Sequence, residues 1–193
     1  RYYTETAGGS GAYVEFLTAL TANITGYDTN YPPEYSAAYV KATSSYAAAG
    51  FEAYRAAMHS TSLTGDDFDN AWMTTQTTNQ RFHIDLGEAV VIRRIYYENF
   101  HDTGAYTTSG AKNFTLWGSN SPTSFAELTY GTDTGWTELT CDDNQFDQHT
   151  ASNVADPKYI NVTPGNKYRY YALKIADNWG GGIYMGLRRV EFQ

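Results

Sequence analysis

An all-β sandwich is the fold class this sequence predicts, and three observations predict it. The 193 residues include 18 Tyr, 9 Phe and 4 Trp but only 18% charged residues, and aromatic rings suit pleated, half-buried strands. From Arg81 onward, apolar and polar residues alternate with a period of two. The alternating runs are short and closely spaced, and Gly, Pro, Asp and Asn turn signals separate them with no helical pattern between.

Taken in order, LTALTANITG (residues 17–26) reads as strand or coil. The adjacent prolines Pro32 and Pro33 are the strongest linker signal, because they bar both helix continuation and central-strand pairing. The alanine-rich run AAAGFEAYRAAM has helical propensity, but Gly50 interrupts it and a turn or two is expected. RFHIDLG places Phe82, Ile84 and Leu86 on one face and ends on Gly87. In AVVIRRIYYENF, Val91, Arg93, Ile95 and Tyr97 oppose Val90, Ile92, Arg94 and Tyr96, a two-sided apolar pattern suited to a central strand. AKNFTLWGSN sets Phe114 and Leu116 against Thr115 and Trp117. Turns are expected at Ser121-Pro122 and Asp133-Thr134-Gly135. Pro164-Gly165 splits two further strands, and Arg169, Tyr171, Leu173 and Ile175 alternate along the second. The pairs Arg93-Arg94 and Arg188-Arg189 read as alternating in/out strand positions. Trp72 reads as core, while Trp117 and Trp136 read as core or surface.

The bulk properties exclude several function classes. A formal net charge of −8 leaves no basic stripe for nucleic-acid phosphates and disfavours anionic membrane surfaces. Cys141 stands alone, so neither an intrachain disulfide nor a thiolate zinc site is available. No run approaches the roughly 20 apolar residues that span a bilayer, so membrane insertion is not expected. The first residue is Arg, with no signal peptide before it, and the chain is expected to be processed or excerpted from something longer.

Several short blocks, in order, carry a resemblance: VKATSSY, GFEAYRAAM, NAWMT, RFHIDLG, AKNFTLWGSN, TGWTEL, YRYYALKIADN and MGLRRVEF. Together, over residues 32–193, they resemble the galactose-binding-like domains: discoidin domains, coagulation-factor C-type domains and family 32 carbohydrate-binding modules. The variety resembled is that of phage tail proteins and bacterial surface proteins. The resemblance implies a jelly-roll β-sandwich with its ligand site on the loops at one end. Such domains end on a Val-Glu-Phe strand after a glycine-rich loop, as this chain does. Its opening, RYYTETAGGSGAYVEF, matches that ending with a shorter loop. Residues 1–29 are therefore expected to be the closing hairpin of a preceding module or an assembly strand, with one sandwich domain over residues 30–193. Chance recurrence of aromatic strands around glycines is the alternative.

The densest acidic run, TGDDFDNAW, offers Asp66, Asp67, Asp69 and Asn70 as oxygen ligands for calcium, without EF-hand spacing. A solvated acidic loop is the alternative. The resemblance implies a structural calcium near this region, with Glu191 of the closing strand as a further ligand. In the loop NFHDTGAYTTSG, His101, Asp102 and Tyr106 offer hydrogen bonds and a ring face to a sugar. In ADNWGGG, Asn178 and Trp179 sit beside three glycines, and an exposed indole there suits a pyranose face. The alternative is that Trp179 folds down over the mouth of the sandwich.

Catalytic signatures are absent from the sequence: the four histidines form no HExxH, and no GxSxG or phosphate-cradling loop occurs. The expected function is a non-catalytic, extracellular carbohydrate-binding or adhesion module whose partner is a glycan or glycoconjugate. The alternative is a structural assembly unit of a fibre, phage tail or cell-surface array, contacting identical subunits or tandem modules through its strands.

Overall fold

The computed structural model describes residues 27–193. It contains strands β1 (Val40–Ala42), β2 (Trp72–Thr74), β3 (Thr78–Val90), β4 (Arg94–Asn99), β5 (Phe114–Ser119), β6 (Thr137–Leu139), β7 (Lys158–Asn161), β8 (Tyr168–Asp177) and β9 (Met185–Phe192). They form a five-stranded sheet ordered β1-β3-β8-β5-β6 and a four-stranded sheet ordered β2-β9-β4-β7. All strand pairings are antiparallel. The alternation at Phe82, Ile84, Leu116, Leu173 and Ile175 turns these side chains inward from one sheet. Trp72, Ile95, Leu187, Val190 and Phe192 meet them from the other. Trp72 is fully buried, with its indole N–H donating to the Ser44 carbonyl at 3.1 Å.

Three departures from the sequence pattern matter. The run AVVIRRIYYENF is not one strand: β3 turns at Gly87, which has a φ of 80°, and ends at Val90, while β4 starts at Arg94. A Cβ on Gly87 would lie 2.6 Å from Pro33 Cγ, so Pro33 packs on this corner. Second, β3 is buried on both faces. A short helix α1 (Pro122–Ala126), capped by Ser121 with proline in its first turn, and the following loop cover its outer side. There Phe125, Trp136, Tyr170 and Ala172 cluster against the half-buried Trp117, and the His83 ring lies 4.8 Å from that of Trp136. Burial pushes His83 down to about 4.

Third, Arg188 and Arg189 do not alternate between core and solvent, since both are buried. Asn99 pairs with Leu187 and Glu98 with Arg189, which leaves Arg188 as the extra, unpaired residue of a β-bulge. The bulge lets Leu187 and Val190, which differ in parity, both reach the core, and it re-aims the Arg188 side chain.

The Ala47–Ala49 and Ala53–Ala57 segments are single 3-10 turns flanking the left-handed Gly50, in keeping with the short helix expected there. The Asn30 amide donates to the Phe192 carbonyl at 2.8 Å, which places the first described residues alongside the last strand. The matching hairpin of residues 1–16 and the segment LTALTANITG lie outside the described residues.

Candidate functional site

Four chain segments meet at one end of the sandwich. They follow β1, precede β2, follow β4 and join β8 to β9. Phe51, Ala71, Met73 and Phe100 form a small buried cluster there, separate from the main core. Backbone hydrogen bonds from Tyr46 to Met73 (2.7 Å) and from Met73 to Phe51 (3.4 Å) fasten the first segment onto β2. Above this floor lies a pocket of about 280 Å³. Its walls include Tyr46 and Tyr184, nearly parallel at 18° with centroids 6.3 Å apart, and Phe68, tilted on Phe51 at 5.3 Å. Tyr106 forms the rim. Phe68 is 57% exposed and Tyr106 69%, although burying each ring would gain roughly 2–3 kcal/mol. Asp67, Asp102 and Ser109 supply the polar lining.

The backbone presents these side chains under constraint. The Asp102 and Ala105 amides each donate to the other's carbonyl across a tight turn, whose central residues Thr103 and Gly104 have φ of 49° and 86°. Tyr106 itself is left-handed at φ 53°, a conformation that costs a non-glycine residue about 1–2 kcal/mol. Asp67 is only 7% exposed. Burial pushes its carboxyl up to about 6, reinforced by the charges of Asp102 and Asp66 and opposed by Arg188.

Beneath the pocket, the Arg188 guanidinium spends all five of its N–H donors on backbone carbonyls. Nε donates to Ser62 (3.0 Å), Nη1 to Gly65 (3.0 Å) and His101 (2.7 Å), and Nη2 to Thr64 (2.9 Å) and Asp66 (2.7 Å). One buried cation thus wraps the 62–66 loop and ties it to the start of the 100–113 loop. Beside it Glu98, His101 and His149 bring their ligand atoms within 4.8 Å of one another. Their atoms are already engaged. The Gly104 amide donates to His101 Nδ1 at 3.1 Å, so the ring proton sits on Nε2 and is donated to the Leu63 carbonyl at 2.9 Å. His149 stacks on His101 at 3.8 Å and donates from Nε2 to Glu98 at 2.9 Å. Glu98 accepts the Asp156 amide on both oxygens. Burial, together with His149 and Arg188, holds His101 below the usual imidazole range. This network positions loops and leaves His149 Nδ1 as its one unpartnered nitrogen.

The sugar-reading residues expected from the sequence are thus divided. Asp102 and Tyr106 line the pocket. His101 lies below it, fully buried and saturated, so it has no donor or acceptor to offer a ligand. Asn178 donates to the Gly181 and Tyr184 carbonyls at 3.0 and 2.7 Å and accepts from the Gly180 amide at 2.9 Å, thereby holding the loop that carries Tyr184. Trp179 is half-buried. Its indole N–H donates to the Phe146 carbonyl at 3.2 Å and Lys112 Nζ lies 4.7 Å over its ring, so it neither joins the pocket nor lies side by side with His101 in solvent. Tyr46, Phe51, Phe68, Phe100 and Tyr184 were not expected. Phe68, an aromatic ring inside an acidic loop, was the one local signal.

The calcium cage expected of Asp66, Asp67, Asp69, Asn70 and Glu191 does not fit this geometry. Asp66 accepts the Phe68 amide at 2.8 Å, and Asp69 pairs with Arg55 at 2.8 Å. Asn70 accepts the Ser62 amide and donates to the Asp66 and Phe68 carbonyls. Glu191 pairs with Arg189 at 3.0 Å, and Asp67 turns into the pocket. The loop carbonyls that would suit a hard cation already surround the Arg188 guanidinium.

The sequence profile of the DUF5000 family, described as a domain of unknown function, matches residues 63–192. The chain belongs to the DUF5000 family. No curated protein matches it by sequence. Among solved structures, this DUF5000 domain is similar to the family 32 carbohydrate-binding module of AlyQ in complex with 4,5-unsaturated mannuronic acid. The two share 14% identity over 86% of this chain and 98% of that one, with a TM-score of 0.54. A family 32 module of Clostridium perfringens in complex with GalNAc-β-1,3-galactose gives 16%, 79%, 92% and 0.54 respectively. Chitosan-binding module 1 of a chitosanase/glucanase from Paenibacillus sp. IK-5 gives 20%, 86%, 98% and 0.53. The fold is therefore the galactose-binding-like β-sandwich that the sequence blocks resemble.

Proposed function

We propose that this DUF5000 domain is a non-catalytic glycan-binding module acting outside the cell, with the aromatic pocket as its ligand site. The observation that carries the reading is the exposed, strained Tyr106 at the rim of a ring-lined cavity that also holds two carboxylates. Rings stack on the apolar faces of pyranoses, and carboxylates accept from their hydroxyls. A volume of about 280 Å³ suits one sugar ring, with Tyr106 and Phe68 extending the platform outward. The neighbours in complex with sugars support the reading through their shared fold. No helix among the described residues is long and apolar enough to cross a membrane.

On a glycan array, wild-type binding is expected, and Tyr106→Ala should weaken it at least about tenfold with the unfolding midpoint unchanged. Trp179→Ala, by contrast, should lower the midpoint and leave glycan affinity within about twofold. Binding that survives loss of Tyr106 and disappears with Trp179 would relocate the site to the 178–184 loop.

The assembly reading keeps one supporting observation. Edge strand β7 presents Tyr159, 51% exposed, and Arg94 of β4 lies 4.1 Å from its ring and 3.8 Å from that of Tyr27. Oligomers in solution that vanish on deletion of residues 1–16 would favour it, and a monomer would count against it.

A further inference from the structure

We propose that the pocket takes a protonated amino sugar, with its ammonium group held by Asp67 and Asp102 and its ring face on Tyr106. This rests on the glycan reading of the same pocket and names the substrate class.

Four acidic side chains are buried among the described residues: Asp67, Asp85, Glu98 and Glu191. Three have partners: Asp85 pairs with Arg169 at 2.7 Å, Glu98 accepts from Asp156 and His149, and Glu191 pairs with Arg189. Asp67 is the exception. No other described residue hydrogen-bonds to its carboxylate, which lines the cavity beside Asp102. A largely desolvated carboxylate that faces a cavity with only its own backbone amide as donor is stabilised when a cationic partner arrives. The nearby cation cannot serve, because all five donors of Arg188 are committed to carbonyls. The pocket lining contains no Lys, Arg or His.

An incoming ammonium group answers each of these features. It brings three donors and a positive charge to two carboxylates, and the surrounding ring faces attract cations. A neutral hydroxyl brings one donor and no charge, and an anionic sugar would be repelled.

A pH signature follows. The charged groups facing Asp67 are Asp102, Asp66 and Arg188. Asp67 must be ionised to hold a cation, and burial sets its carboxyl at about 6. Lowering the pH from 7 to 5 protonates Asp67, and although the sugar amine gains charge over the same range, the loss of the carboxylate is the larger change, so amino-sugar affinity falls. Affinity for a neutral sugar, which meets the carboxylate only through hydroxyl hydrogen bonds, depends on this charge less.

The test is calorimetric titration of the full chain with three probes: β-1,4-linked glucosamine disaccharide, its di-N-acetyl counterpart, and propylamine. At pH 7 the amine disaccharide should bind at least about tenfold tighter than the acetylated one. The ratio should shrink at pH 5, and at pH 7 it should shrink in Asp102→Asn, a part-exposed position less prone to folding artefacts than Asp67. Equal or tighter binding of the acetylated disaccharide, still lost in Tyr106→Ala, would overturn the amine preference and leave the glycan site standing. Propylamine binding as tightly as the disaccharide would overturn the sugar specificity. No binding of either disaccharide, alongside a glycan array without hits, would remove the site itself.

Discussion

Replacing Arg188 with Met is expected to lower the unfolding midpoint by roughly 10 °C. The change leaves the Ser62, Thr64, Gly65, Asp66 and His101 carbonyls without their shared donor. Methionine fills part of the volume and bonds none of them. The Thr64, Gly65 and Asp66 carbonyls keep the Ser62 hydroxyl, the Thr103 amide and the Asn70 side-chain amide as donors, so the Ser62 and His101 carbonyls are the ones orphaned, at about 1–3 kcal/mol each. A net loss of about 4 kcal/mol corresponds to that shift for a domain of this size. The companion measurement uses EDTA. Since the guanidinium occupies the carbonyl ring, chelation should leave the wild-type midpoint within about 1 °C, whereas a calcium-dependent loop would lose several degrees. A large chelator effect would sink the assignment of Arg188 as the loop's cation.

The second large effect is expected for Gly104→Ala. Gly104 has a φ of 86°, and a Cβ there would lie 2.6 Å from the Asn153 amide nitrogen, against backbone that cannot rotate away. The 102–105 turn must shift, and it carries Asp102 and Tyr106 on its two sides. Stability should fall by about 2–4 kcal/mol, combining left-handed strain with overpacking, and glycan affinity should fall at least about tenfold. Gly180→Ala is the control. It has a similar φ of 90° with nothing within 4 Å of the added Cβ, so only about 1 kcal/mol of backbone strain is expected. Equal losses in both variants would mean that conformational strain, not the position of the turn, governs binding.

Much of the architecture was legible because strand patterning is local. Phe82, Ile84 and Leu86 announce one inward face, and Phe114 with Leu116 another, whatever lies across the sheet. Trp72 could be placed in the core for the same reason. The outer burial of Arg81 and His83 was not legible, since it depends on a loop some 40–50 residues later folding over β3. Nor was Arg188, whose neighbours suggest plain alternation until a single bulge opposite Glu98 and Asn99 turns it beneath the pocket.

The candidate site divides in the same way. Asp102 and Tyr106 were visible because a polar loop with a glycine turn displays its side chains outward. His101, their neighbour in the chain, could not be separated from them by sequence, because the contacts that bury it come from Leu63, His149 and Arg188. Tyr46, Phe68 and Tyr184 are more than 20 residues apart in the chain and become one wall only when the strand ends converge. By itself, then, the sequence determined an antiparallel sandwich with aromatic, acidic loops, because side-chain alternation and turn chemistry act over a few residues. The tertiary structure alone decided which rings face a ligand, which carboxylate lacks a partner and which cation organises the loop. Those properties arise from contacts across tens of residues, which no local pattern encodes.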